Sequence, residues 1–212
     1  GVVAGQMMLT EVEGPTIIEM YSRLGDPEAL NVLHTLKNDL VDVCFAIIDE
    51  SLGKIRLDFE QKAVVVKAVA PNGYPDYRKL AVGHPVEVDE AKIIEGGCEL
   101  FWASCNLHED GRVTSAGSRL VEILASDEDI PAASAKIEKV ISAVRLADGW
   151  GLFYRSDIGS EELLRRRAEL AERVRRLYHY RVEKGTVGRR VDWLPGIGKV
   201  DPVKILKEGL RG

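Results

Sequence analysis

Twelve residues, Ile17 to Glu28, constrain this chain more than any other segment, because they pass from strand to loop to helix in one short run. Thr16 to Met20 alternates and is rich in β-branched residues, which predicts a strand with Ile17, Glu19 and Tyr21 on one face and Ile18 and Met20 on the other. Glu19 then has apolar neighbours. An ionised carboxylate deprived of water is costly unless compensated, so Glu19 is expected to be paired, hydrogen-bonded or bound to a cation. Arg23 and Asp26 follow within one loop. Asp26-Pro27-Glu28 reads as a helix start: Asp26 can cap, Pro27 suits the first helical position, and Glu28 lies in the electropositive first turn. Two accounts of these residues stay open. Asp26 is only a cap and Arg23 only an ion-pair partner, or the acid on the strand, the Arg-Gly-Asp loop and the helix start together build a phosphate or metal site.

Upstream, Glu11-Val12-Glu13-Gly14-Pro15 carries turn residues between two strand-like runs, 2–10 and 16–21, and predicts a hairpin. In such a hairpin Gln6 falls on the same face as Glu19 and brings an amide oxygen near the carboxylate. From Pro27 to about Asp49, Leu30, Leu33, Leu36, Leu40, Val43 and Ile47 recur at helical spacing and predict one amphipathic helix. Ser51-Leu52-Gly53-Lys54 breaks this pattern, and a domain boundary is placed there. Strands are expected at Ala63 to Ala70, Val86 to Val88, Glu99 to Ser104 and Arg112 to Leu124. Ala116-Gly117 interrupts the last of these and signals a bulge or a close backbone approach. Pro131 to Leu146 reads as a helix with Ala135, Ile137, Val140, Ile141 and Val144 inward, closed by Gly149. Ser160, Glu161 and Glu162 open a long helix to about Tyr180. Its stripe is Leu163, Leu170, Val174 and Leu177, and seven arginines between Arg165 and Arg181 form a solvated face. Gly196-Ile197-Gly198-Lys199 lacks the spacing of a phosphate loop and is assigned to irregular structure. The expected domains are 1–52, 53–159 and 160–212.

Composition narrows the function classes. The chain has 212 residues and a formal net charge of -5, which gives no general attraction to nucleic acid or to an anionic membrane. Three cysteines, Cys44, Cys98 and Cys105, make no CxxC pair, so neither a disulfide framework nor a zinc knuckle is expected, and a reducing cytoplasm suits them. Apolar runs stay short of the ~20 residues of a membrane span. Neither nucleic acid nor membrane is an expected partner. The four histidines are scattered without metal-ligand spacing, and no serine has a nucleophile-elbow context. The chain opens on Gly1 with a strand already under way at Val2, which is read as a piece of a longer protein.

Five blocks, taken in order, resemble the C-terminal half of phosphoribosylamine-glycine ligase (glycinamide ribonucleotide synthetase), of the ATP-grasp superfamily. They are Gly5-Gln6-Met7-Met8-Leu9-Thr10, Glu19 to Glu28 (similar to the family's E-x-N-x-R-x-G-D-P-E), Asn72-Gly73-Tyr74-Pro75, Thr114 to Leu120 after a strand beginning near Leu100, and Tyr154-Arg155-Ser156-Asp157-Ile158-Gly159. The match runs to about residue 160. It implies an α+β chain in which the C-terminal part of an ATP-grasp domain precedes a small β-rich domain with packed helices. It also implies ATP-dependent joining of glycine to 5-phosphoribosylamine, giving glycinamide ribonucleotide, ADP and phosphate through a glycyl phosphate. The cofactors implied are ATP with Mg²⁺ or Mn²⁺, and the implied metal positions are Gln6, Glu19 and Tyr21. Arg23 would hold a carboxylate or the developing acyl phosphate, Asp26 the glycine ammonium, and Gly25 would line the same substrate-binding loop.

Two departures bear on this expectation. Tyr21 stands where the family has a metal-binding Asn, and a phenol is a poor ligand for a hard cation beside a carboxylate or amide. The family's N-terminal half, with most of its nucleotide contacts, is the implied partner, so this chain alone is not expected to turn over. The competing readings are a noncatalytic interaction module derived from the same fold, and another ATP-grasp ligase.

Overall fold

The computed structural model describes residues 1–188 and, as backbone only, the strands at 192–194 and 198–200. In chain order its elements are β1 (Ala4–Thr10), β2 (Gly14–Tyr21), α1 (Glu28–Thr35), α2 (Leu40–Ile48), β3 (Ala63–Pro71), β4 (Val82–Val88), α3 (Glu90–Glu95), β5 (Glu99–Trp102), β6 (Cys105–Leu107), β7 (Val113–Ala116), β8 (Val121–Asp127), α4 (Ile130–Val140), β9 (Val144–Leu146), β10 (Leu152–Tyr154), α5 (Glu161–Glu183), β11 (Asp192–Leu194) and β12 (Gly198–Val200). The fold is α+β with antiparallel sheets throughout. It clusters into two compact units: Gly1 with Leu24–Leu164, and Val2–Arg23 with Arg165–Gly212.

The larger unit holds two four-stranded sheets, in the orders β10-β3-β8-β5 and β6-β7-β4-β9. β3 is a β-branched run, as a strand covered on both faces must be. Alternation along it sends Val65, Lys67 and Val69 to the face covered by α4, where Val121, Ile123 and Ala125 of β8 meet Ala133 and Ile137 of the helix. Leu120, Ile123 and Ile137 are fully buried, each contributing roughly 1.5–3 kcal/mol by leaving water. Val86, Val144 and Leu146 of the second sheet close the same core. Lys67 is also fully buried, and its ammonium reaches Glu138 of α4 and the Ser156 carbonyl. The opposite face of the first sheet, which carries Val66, Glu122 and Leu124, is approached by α1, whose Asn31 amide donates to the Val64 carbonyl at 3.0 Å.

Several sequence expectations change here. The helix expected from Pro27 to Asp49 is two helices. Leu36 leaves helical geometry to bridge Phe59, the Asn38 amide donates to the Arg56 carbonyl and accepts from Asp58 N–H, and Asp39 caps α2 through Val41 N–H at 2.7 Å. An apolar stripe at helical spacing therefore ran across a side-chain-stitched break. Arg112 to Leu124 is not one kinked strand, because β7 and β8 belong to different sheets. Gly117 between them adopts φ +86°, and a Cβ there would lie 2.9 Å from Val82 Cγ2, so the close approach is real. The helix expected to Leu146 ends at Val140 and passes through a 3-10 turn into β9; Ala135 is exposed, and Ala133 and Ser134 face inward instead.

In the second unit β1 and β2 form the expected hairpin, with Gln6 opposite Glu19. A one-residue bulge at Ile18 shifts the register, so that Ile17 pairs with Met7. Because Gln6 and Met7 face opposite ways, so do Glu19 and Ile17, contrary to the strict alternation expected. Glu19 is exposed rather than dry, and Met7, Ile17, Ile18 and Met20 are also exposed. α5 starts in the larger unit, where Ser160 caps it through Leu163 N–H at 3.2 Å; it buries no residue fully, and Leu170 of its expected stripe, in the second unit, is exposed. Within this unit the Tyr178 ring lies against Gly14 in the hairpin turn. β11 and β12 pair antiparallel. Gly198 and Lys199 thus begin a strand rather than irregular structure, while Gly196 and Ile197 lie outside the described residues. Among the described residues no helix is long and apolar enough to cross a membrane.

Candidate functional site

The residues singled out in the sequence fall into two local groups. On the hairpin, the register puts Gln6, Glu19 and Tyr21 on one face, since Gln6 pairs with Glu19 and Ala4 with Tyr21. The side-chain amide and carboxylate supply two hard oxygen donors side by side. Tyr21 carries the Arg23 guanidinium over its ring, 5.0 Å from the centroid, a cation–π arrangement that fixes the plane of a group suited to bidentate recognition of carboxylate or phosphate. Gln6 and Glu19 thus fit a hard cation, whereas the ring of Tyr21 already faces a positive charge. Among the described residues no three His, Cys, Asp or Glu side chains gather as a metal cluster.

The second group lies in the larger unit, at the start of α1. Asp26 does not cap the helix: Pro27 occupies that position without a side-chain bond, and Ala29 N–H bonds the Gly25 carbonyl at 2.8 Å. The Asp26 carboxylate instead accepts from the Arg119 guanidinium at 2.7 Å. Arg119 follows Gly117 in the turn between β7 and β8, and its other terminal nitrogen lies 3.1 Å from Glu122 Oε1. Glu122 is on β8, between Ala68 of β3 and Phe101 of β5, with its side chain 6% exposed. Burial pushes its carboxyl above the usual range; Arg119 opposes this, and the nearby negative charges of Asp26 and Glu28 reinforce it. Asp26 is open to solvent. The result is an open carboxylate and a buried one joined through a single guanidinium.

Arg119 and Glu122 were missed by the sequence reading. The signal available was the rule applied to Glu19, an acid within an apolar run, here Leu120-Val121-Glu122-Ile123-Leu124. No local spacing announces the Asp26 contact, which spans 93 positions.

The larger unit thus carries an open and a buried carboxylate joined through Arg119, and the second unit, by itself, an oxygen-donor hairpin. Residues 64–161 match the sequence model of the phosphoribosylglycinamide synthetase C domain, and the chain resembles the phosphoribosylamine–glycine ligases over their C-terminal portion. It is 41% identical over 176 residues to phosphoribosylamine–glycine ligase of Methanocaldococcus jannaschii, covering 83% of this chain and 38% of that protein. The ligase of Methanococcus maripaludis strain S2 is 42% identical over 178 residues, covering 82% and 37%. The crystal structure of the Thermotoga maritima ligase superposes with a TM-score of 0.51 at 25% identity, over 74% of this chain and 36% of that one. The chain therefore spans less than two fifths of the length of these relatives.

Proposed function

We propose that this chain supplies the C-terminal portion of an ATP-dependent ligase that joins glycine to 5-phosphoribosylamine, giving glycinamide ribonucleotide, ADP and phosphate in purine synthesis. The observation that carries this reading is identity of about 40% to phosphoribosylamine–glycine ligases over four fifths of the chain. In it, residues 1–52 complete an ATP-grasp domain, 53–159 form the β-rich C-terminal domain, and 160–212 a helical extension. The partner is the N-terminal half that the relatives' greater length represents, and the compartment is the cytoplasm.

The residues have chemical roles that suit such a ligation. Gln6 and Glu19 would hold Mg²⁺ or Mn²⁺, which when bound neutralises charge on the nucleotide oxygens. Arg23, its plane held by Tyr21, would grip the glycine carboxylate and the acyl phosphate that develops from it. Asp26 would receive the glycine ammonium, and Gly25 gives the chain room beside it. Tyr21 at a position expected to be a ligand also motivates the second reading, a noncatalytic module. One assay separates them: ADP release by the complete protein with ATP, phosphoribosylamine and a Mg²⁺ or Mn²⁺ titration, with and without glycine. Glycine-dependent release supports the ligase, and its absence overturns it.

A further inference from the structure

We propose that Glu122 is the second carboxylate of an ammonium site shared with Asp26, taking the amino group of a small amino acid; the identity of that amino acid as glycine rests on the ligase reading above. Glu122 occupies a central strand position between Ala68 and Phe101, where an apolar residue would serve the sheet better. A carboxylate there loses its hydration, and the loss is only partly made good. Glu122 Oε1 is buried and, among the described residues, lacks a hydrogen-bond partner. The Arg119 nitrogen 3.1 Å away pairs with it as an ion without the alignment of a hydrogen bond, while the other terminal nitrogen of that guanidinium donates to Asp26.

Charge points the same way. Asp26 and Glu122 bring two negative charges to one guanidinium, and Glu28 in the first turn of α1 adds to the negative field at Glu122. The group that completes such a site is a compact cation with several donors. A divalent metal is disfavoured by Arg119 between the two acids, whereas a primary ammonium, with three donors and one charge, can satisfy Oε1 and Asp26 together. Arg119 then acts as a positioning residue that holds Asp26 beside the buried acid. The competing arrangement is one proton shared by the two carboxylates.

Glu122→Gln keeps the shape and removes the charge. In the complete protein this variant is expected to raise the KM for glycine about tenfold or more while kcat and the KM for ATP stay within about twofold. An unchanged glycine KM in an active enzyme overturns the ammonium site and leaves the ligase reading standing. Independently of ligation, the Glu122 carboxyl carbon resonance of the unaltered protein is followed by NMR as methylammonium is added. A saturable shift supports the site even where glycine-dependent turnover fails. A resonance that titrates with pH but ignores methylammonium reports only the shared proton and overturns it.

Discussion

The Lys67 ammonium, fully buried on β3, ends on the Glu138 carboxylate of α4, whose second oxygen accepts from the Tyr154 hydroxyl at 2.9 Å. The lysine also donates to the Ser156 carbonyl at 3.0 Å, so one buried cation fastens the helix and the segment after β10 to the central sheet. The two ends of this pair are not equivalent. Glu138 is about one third exposed and rehydrates when Lys67 is lost, whereas Lys67 has no water to turn to. Glu138→Ala is therefore expected to cost about 3 kcal/mol, and Lys67→Met, which keeps the apolar stem, about 1 kcal/mol. Urea denaturation of both variants checks the order.

His84 should make stability depend on pH. Its Nδ1 lies 2.8 Å from Asp148 Oδ2 and its Nε2 2.7 Å from the Leu80 carbonyl, with the ring stacked on Trp150 at 4.9 Å. Burial works against the charged ring, but the Leu80 carbonyl and the Asp148 carboxylate outweigh it and hold the pKa above the ordinary 6.5. A raised folded-state value means stabilisation fully present below the unfolded value and lost as pH climbs through the folded one. The partner Asp148 is held below its usual range by His84, so its share is present above that range and fades only in acid. The urea midpoint is expected to fall between about pH 6 and about pH 8, and His84→Gln should flatten that slope.

Glu19 tests the hairpin's chemistry. Because the side chain is exposed, Glu19→Ala should change folding stability by less than about 0.5 kcal/mol. Ligation by the complete protein should fall by about 100-fold or more if the carboxylate supports the transferring phosphoryl group. Unaltered turnover removes Glu19 from the mechanism.

Gly117→Ala joins fold and site. A methyl group at φ +86° would meet Val82 Cγ2 at 2.9 Å and the Arg78 carbonyl at 3.2 Å. The variant should lose about 1–3 kcal/mol of stability. Since this turn carries Arg119, the KM for glycine should rise with it, measurable below the melting range.

The cysteines should differ in reactivity. Cys44 on α2 is exposed, Cys98 is buried, and burial pushes the Cys105 thiol up to about 11. At about pH 8 one thiol per native chain is expected to react rapidly with a disulfide reagent, and peptide mass mapping should place it at Cys44.

The sequence made the hairpin, β3 and the capped start of α5 legible, because each depends on residues close together: turn chemistry at Gly14, a β-branched run, and Ser160 followed by two acids. It misled where local pattern and long-range stitching disagree. Leu36 and Leu40 keep helical spacing, yet Asn38 ties the segment between them to Arg56 and Asp58. Val144 and Leu146 continue the apolar pattern of α4 but pair with Val88 and Val86. At the site, Gln6 does lie opposite Glu19 as expected, but the bulge at Ile18 puts it there rather than simple parity, and Arg119 and Glu122 reach Asp26 only through the fold. The rule about acids in apolar runs applied more firmly to Glu122, which is buried, than to Glu19, which is not.

The bulge at Ile18 decides which side of the ribbon the Glu19 carboxylate inhabits. Were the ladder to continue straight from the turn, Glu19 would slide one place and lie opposite Gly5, alongside Met7 and away from Gln6. A single surplus residue thus acts as a sorting device, setting the carboxylate beside the amide and sending Met20 to the reverse.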